Sequence, residues 1–272
     1  MDQKQESSAL KRVKPKKSLG QHFLRDRQVV DRIVAGLDAG QDDRVIEIGP
    51  GTGALTGELS RRFRDLHVFE VDSRSIAVIQ EHLPQVQVHA QSILEADFQS
   101  LSDEADGRLV IVGNLPYYLT SPILFQVIDR GNFFSQAVFM IQKEVAQRLS
   151  ARPRTKEYGI LSVQAQVLGR PETLFTVSRH AFDPPPKVES AVISWQPGND
   201  ILPGSVADLP VPLSKFKQVV RTAFHQRRKK LANALKPILT SPLPDDFDAQ
   251  RRAEELEPAE FLELAQLMQS RM

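Results

Sequence analysis

Arg44-Val45-Ile46-Glu47-Ile48-Gly49-Pro50-Gly51-Thr52-Gly53 decides the fold of this chain. Arg44 to Ile48 reads as a short buried strand, and Ala54, Leu55 and Leu59 open a helical pattern directly after the glycines. A strand, a glycine-rich turn and a helix in that order form the opening of a doubly wound nucleotide site. Glycine lets the backbone approach a ligand that a Cβ would hold off. The spacing is not Gly-x-Gly-x-x-Gly, because Ala54 stands at the third glycine position and Gly53 comes one residue early. A dinucleotide site is therefore disfavoured. The next strand, His67-Val68-Phe69, runs into Glu70-Val71-Asp72, about twenty residues past the turn, where a carboxylate can accept from both hydroxyls of a ribose. Taken alone, Glu70 would read first as a surface acid at a strand end; the glycine turn before it shifts the reading to a ribose acceptor.

Further along, the apolar run Leu109-Val110-Ile111-Val112 closes on Gly113-Asn114-Leu115-Pro116-Tyr117. These side-chain types suit a planar amine. Asn114 offers an acceptor oxygen, Pro116 fixes the backbone so that the preceding carbonyl can face a ligand, and Tyr117 supplies a plate for stacking. The amine of a base is a weak nucleophile because its lone pair is delocalised into the ring. Two acceptors on its hydrogens favour the pyramidal form that attacks. In isolation the segment would also pass for an ordinary strand-to-loop turn.

Strand and helix patterns alternate from Arg44 to about Leu149, as in a parallel sheet covered on both faces, preceded by a helical pattern from Asp26 to Leu37. Ile160 to Leu168 reads as a helix and Ala191 to Trp195 as a final strand, and Gln196-Pro197-Gly198-Asn199-Asp200 with Leu202-Pro203-Gly204 reads as a linker. The remainder is helical in pattern. The expected organisation is a flexible basic arm over 1–17, an α/β domain over 18–200 and a helical domain over 201–272. No run approaches the ~18 apolar residues of a membrane span, and the start of the chain lacks the apolar core of a signal peptide, so a cytoplasmic protein is expected. The chain has no cysteine, which excludes disulfides, thiolate metal sites and a thiol nucleophile. Its six histidines show no ligand pairing, and no metal is expected.

A formal net charge of +1 hides two local clusters. Ser214 to Lys236 carries eight cations (Lys215, Lys217, Arg221, Arg227, Arg228, Lys229, Lys230 and Lys236) and no acid, and Lys11 to Lys17 carries five and no acid. Two such clusters in a nearly neutral chain suit a polyanion, although either alone would read as a solvated face. Phe216, Val219, Val220, Ala223 and Phe224 form one apolar face, so most of that helix is packed. Arg227 would fall on this face if the helix continued, which suggests a break near His225. Arg152-Pro153-Arg154-Thr155-Lys156 is a polar loop that reads either as an RNA contact or as a plain connection.

The motifs Glu47 to Gly53, Phe69 to Asp72 and Asn114 to Tyr117, in this order, resemble those of the S-adenosylmethionine-dependent rRNA adenine-N6 methyltransferases. Leu19-Gly20-Gln21-His22-Phe23-Leu24, Phe182-Asp183-Pro184-Pro185-Pro186-Lys187-Val188-Glu189-Ser190 and Phe224-His225-Gln226-Arg227-Arg228-Lys229 extend the resemblance toward the bacterial small-subunit rRNA adenine dimethyltransferases. It runs from about Lys16 to Met272. It implies a Rossmann-like α/β methyltransferase sheet with a small all-helical C-terminal domain, S-adenosyl-L-methionine as cofactor, and dimethylation of adjacent adenosines near the 3′ end of small-subunit rRNA in a maturing subunit. It further implies that Asn114 and the Leu115 carbonyl hold the N6 amine while Tyr117 and Phe182 sandwich the base. The proline-bounded setting of Phe182 reads as an exposed plate. The cofactor would meet His22, Leu24, Gly49, Gly51, Glu70, Val71, Ser92, Ile93 and Asn114. RNA would meet Lys187, Arg221, Arg227, Arg228, Lys229 and Lys230, and a monomer is the default.

One position departs from the family. The Asp that bonds the cofactor's adenine amine is replaced by Ser92, whose hydroxyl accepts the same bond without charge. Glu95 or Asp97 could compensate. Three rival readings remain: a large-subunit rRNA adenine methylase, a DNA adenine methylase with a Pro-Pro-Tyr type motif, and an RNA-binding assembly factor without catalysis.

Overall fold

The computed structural model describes residues 13–16, 20–240, 242–244 and 247–269. Most of the expected N-terminal arm, residues 1–12 and 17, lies outside the described residues, as does Leu19. Where the arm is described it is held to the body: Val13 is buried and the Lys14 carbonyl accepts from Arg74 Nη1 at 2.9 Å. Nine strands are described: β1 Phe23–Leu24, β2 Arg44–Ile48, β3 Asp65–Phe69, β4 Gln87–His89, β5 Leu109–Asn114, β6 Gln136–Gln142, β7 Gly169–Val177, β8 Phe182–Asp183 and β9 Ser190–Pro197. The helices are α1 Arg27–Ala35, α2 Ala54–Arg62, α3 Ser73–His82, α4 Phe98–Asp103, α5 Thr120–Asp129, α6 Lys143–Leu149, α7 Ile160–Leu168, α8 Leu213–His225, α9 Leu231–Ala234 and α10 Pro258–Gln269.

The chain forms two compact units, 1–146 with 172–196 and 147–171 with 197–272. The first is built on a sheet of order β4-β3-β2-β5-β6-β9-β7, with β4 to β6 parallel and β9 antiparallel to β6. Every residue of β2 is buried, as befits a central strand covered on both faces. Its one cation, Arg44, is compensated there by Asp65 at 2.7 Å and by the Leu101 and Glu104 carbonyls at 2.8 and 2.9 Å. Order reverses between β2, leading out to β3, and β5, leading to β6, so the carboxyl ends of β2 and β5 flank the crevice where such sheets bind ligands. The helix starts are set locally by Asp26, Asp72 and Asp97, whose carboxylates accept N–H groups of the first turns of α1, α3 and α4.

The second unit packs Phe216, Val219, Val220 and Ala223 of α8 with Phe261, Leu264 and Ala265 of α10, all buried. Tyr158 is buried with them, and its hydroxyl donates to the Leu256 carbonyl at 2.8 Å. The sequence boundary at residue 200 is close to Pro197, where the chain returns to this unit, but α7 and the loop before it also belong here, ahead of β7. Helix α8 stops at His225, where the sequence pattern placed a break. Strands β1, β7 and β8 had no counterpart in the sequence reading.

Candidate active site

Beyond the carboxyl ends of β2 and β5 lies an open cleft within the first unit. The Gly49–Gly53 turn forms one wall, and its three glycines have φ of 65°, 56° and 86°, values in the left-handed region. A Cβ on Gly49 would enter open space at the cleft wall, and one on Gly51 would meet the Phe23 ring at 3.1 Å. Glu70, at the end of β3, takes the N–H groups of Val71 and Asp72 on Oε1 at 2.8 and 2.9 Å, while Oε2 is within 3.3 Å of the Gly51 N–H. Burial pushes its carboxyl upward, opposed by these three amides. Buried Asp72 is held well below the usual carboxylate range by Arg74, with Gln21 also donating to it at 3.0 Å.

The opposite wall begins at Asn114, the last residue of β5. Its Nδ2 donates to the His22 carbonyl at 3.1 Å, which leaves Oδ1 as an acceptor. The Leu115 N–H is tied to the Met140 carbonyl at 3.1 Å, and no donor among the described residues is bonded to the Leu115 carbonyl. Pro116 has its own carbonyl engaged by Leu119 N–H and the Thr120 hydroxyl at 3.0 and 3.1 Å. The Tyr117 hydroxyl lies 3.3 Å from Ser190 Oγ, and its ring is tilted 31° to the His22 imidazole at 5.6 Å between centroids. His22 Nδ1 in turn donates to the Pro184 carbonyl at 2.7 Å.

Most of the expected site residues meet here: His22, Gly49, Gly51, Glu70, Val71, Ser92, Ile93, Asn114, Leu115, Tyr117 and Phe182 all line the cleft. Leu24 does not. It is buried in the hydrophobic core, because β1 pairs with β8 and alternation turns Phe23 to the cleft and Leu24 inward. Phe182 is a further correction: it borders the cleft but is only 5% exposed and belongs to the core, so it is not an exposed plate. The pairing of β8 with β1 provides the cover. The exposed aromatic at this wall is Tyr118, 54% exposed, which the sequence reading passed over. Phe23, Gln21 and Ser190 were also missed as contributors, although all three lie inside the quoted motifs.

Arg227 is likewise not the free cation that its basic run suggested. Its Nε donates to Glu254 at 2.5 Å and its Nη1 and Nη2 to the Lys156 and Thr155 carbonyls at 3.0 and 2.9 Å. Arg221, Arg228 and Lys229 are exposed, as is Lys187 in the first unit; Lys230 is exposed and bonds Gln250 at 2.8 Å.

A family model for ribosomal RNA adenine dimethylases matches residues 12–270. A protein of Chlorobium chlorochromatii named ribosomal RNA small subunit methyltransferase A is 44% identical over 259 residues, covering 95% of both chains. The chain belongs to the ribosomal RNA adenine dimethylase family. A Bacteroides thetaiotaomicron protein of the same name is also 44% identical, over 94% of each chain. Among solved structures, a dimethyladenosine transferase from Plasmodium falciparum shares the fold, with a TM-score of 0.73 over 89% of this chain and 96% of that one at 24% identity. The 23S rRNA methyltransferase ErmE gives 0.66 over 91% and 99% at 25% identity.

As a member of this family the chain is a methyltransferase that uses S-adenosylmethionine, and the residues present fit that cofactor. The turn leaves room at Gly49, and Glu70 places a carboxylate oxygen at the cleft. Ser92 is half-buried at the cleft, and its Oγ accepts the Leu94 N–H at 3.2 Å. Neither Glu95 nor Asp97 lines the cleft, and Asp97 is occupied in capping α4. Among the described residues, no His, Cys, Asp and Glu group could hold a metal ion, and no helix is long and apolar enough to cross a membrane.

Proposed function

We propose that this dimethylase methylates the N6 amines of two adjacent adenosines near the 3′ end of small-subunit rRNA, within a maturing subunit in the cytoplasm, and that it acts as a monomer. The observation that carries the reading is the pairing of Asn114 Nδ2 with the His22 carbonyl, which fixes Oδ1 as an amine acceptor beside an unbonded Leu115 carbonyl.

Bound S-adenosylmethionine supplies a methyl group already activated by its sulfonium, so no protein nucleophile or strong base is needed. The chain contributes position. Asn114 Oδ1 and the Leu115 carbonyl accept the amine hydrogens and direct its lone pair. Tyr117, steadied by Ser190 and His22, stacks on the base, with Phe182 as the rim of the wall behind it. The Glu70 carboxylate would accept from the cofactor's ribose, Ser92 would meet its adenine, and Gly49 and Gly51 would leave room for its chain. A base paired in a helix cannot reach this cleft, so the target is flipped or drawn from a loop. Lys187, Arg221, Arg228, Lys229 and Lys230 supply phosphate contacts. The curated relatives carry small-subunit names at 44% identity, against 25% for the large-subunit ErmE, which favours the small-subunit substrate.

The test is to incubate the protein with labelled S-adenosylmethionine and small subunits lacking adenine dimethylation, then digest the RNA. Label in N6,N6-dimethyladenosine is the expected result. Cofactor binding without transfer would exclude this substrate, and label in large-subunit RNA alone would shift the assignment to the ErmE-like reaction.

A further inference from the structure

The loop 152–156 displays three cations, Arg152, Arg154 and Lys156, all exposed, on a backbone that is held at several points. Arg154 N–H donates to the Glu254 carbonyl at 2.7 Å. The Thr155 hydroxyl donates to the Arg152 carbonyl at 2.7 Å. The Thr155 and Lys156 carbonyls are the two acceptors taken by the Arg227 guanidinium, which Glu254 holds from its other edge. Arg227 thus faces inward and serves the loop, while its neighbours Arg228 and Lys229 face solvent.

Two features separate this loop from a plain connection. Arg154 sits at φ 67°, a region that residues with a Cβ rarely adopt, and strain of this kind persists only where surrounding bonds hold it. In addition, none of Arg152, Arg154, Lys156, Arg228 and Lys229 has an ion-pair partner among the described residues. Glu157 follows the loop in sequence, and Glu254 is ion-paired with Arg227. The surface therefore presents these cations on a backbone that needs little further ordering on binding, which lowers the cost of contact with a phosphate backbone.

We propose that loop 152–156 and the adjoining Arg228 and Lys229 form one preshaped surface for RNA phosphates, and that Arg227 is the positioning residue that holds its shape. This rests on the RNA substrate assigned above and adds a contact that the basic run in 214–236 does not include. A phosphate takes charge-assisted hydrogen bonds from guanidinium groups, and sequence is not read here.

The experiment uses the full chain and undermethylated small subunits, with affinity measured across a salt series. Replacing Arg152, Arg154 and Lys156 together by Gln is expected to lower the slope of log affinity against log salt by about 2–3, at roughly 0.7–0.9 per lost phosphate contact, with affinity falling at least tenfold and S-adenosylmethionine binding unchanged. An unchanged slope would overturn the proposal. Arg154→Gly keeps the left-handed turn and removes only the cation. It should melt no lower than the wild type and still lose affinity; wild-type affinity would count against the loop. Arg227→Lys keeps the charge but loses the paired carbonyl contacts, so it should weaken RNA binding and speed amide exchange in 154–157. Wild-type binding and exchange in that variant would overturn the positioning role. Failure of the wild-type chain to bind subunits at all would instead overturn the RNA substrate itself.

Discussion

The His22 carbonyl and Asn114 Nδ2, 92 residues apart in sequence, meet at 3.1 Å. This contact decides which end of the Asn114 amide is available to a ligand. A reversed amide would set two oxygens against each other, so the acceptor is directed by the N-terminal motif and not by the strand that carries Asn114. The same His22 has its imidazole against the Tyr117 ring, and one residue therefore steadies both the amine clamp and the stacking plate.

Asn114→Ala removes the acceptor and leaves the glycine turn and Glu70 intact. Turnover should fall by about 10²-fold or more, the scale of losing a positioning contact. Cofactor affinity, measured by calorimetry, should stay within several-fold. Near wild-type turnover would mean that the amine is held elsewhere.

Ser92→Asp restores a charged acceptor at a position whose side chain already caps the Leu94 N–H, a task Asp also performs. A charge-assisted bond exceeds a neutral one by about 1 kcal/mol, so S-adenosylmethionine should bind about fivefold tighter. Equal or weaker binding would show that Ser92 does not face the adenine amine.

Glu47 lies fully inside β2, and burial, opposed by a hydrogen bond from Thr56, pushes its carboxyl from 4.5 up to about 8. Between these values the folded chain holds a proton that the unfolded chain has released. Stability from this group is thus highest below about pH 4.5 and declines as pH rises toward 8. Glu47→Gln cannot lose that proton. The difference in melting temperature, variant minus wild type, should become more positive from pH 5 to pH 8; a difference that shrinks over this range would contradict the assignment.

Leu24 and Phe23 should separate cleanly. Leu24→Ala opens a cavity in the core and should cost about 2–5 kcal/mol in denaturant unfolding. Phe23→Ala, at the cleft and against Gly51, should weaken cofactor binding more than Leu24→Ala does. The reverse order in cofactor affinity would restore Leu24 to the site.

Much of this architecture was legible in order along the chain. The alternation of strands and helices, the glycine turn, Glu70 at the end of β3 and the stop of α8 near His225 all depend on local periodicity and backbone geometry, which a sequence carries directly. The short strands β1 and β8 were not legible, because a two-residue strand has no period. Their pairing moved Leu24 into the core and covered Phe182. Arg227 shows the same limit from the charged side: within a run of cations it looks like its neighbours, and only Glu254 and the Thr155 and Lys156 carbonyls, brought in from distant sequence, turn it inward.

The sequence by itself determined the order of the elements, the residue types at the cleft and the chemistry those types support, since propensity, spacing and side-chain functional groups are local properties. Only the tertiary structure decided which face each side chain presents and which donor already has a partner. Both depend on contacts between segments far apart in the chain, as with Asn114 and His22, and local spacing holds no record of them.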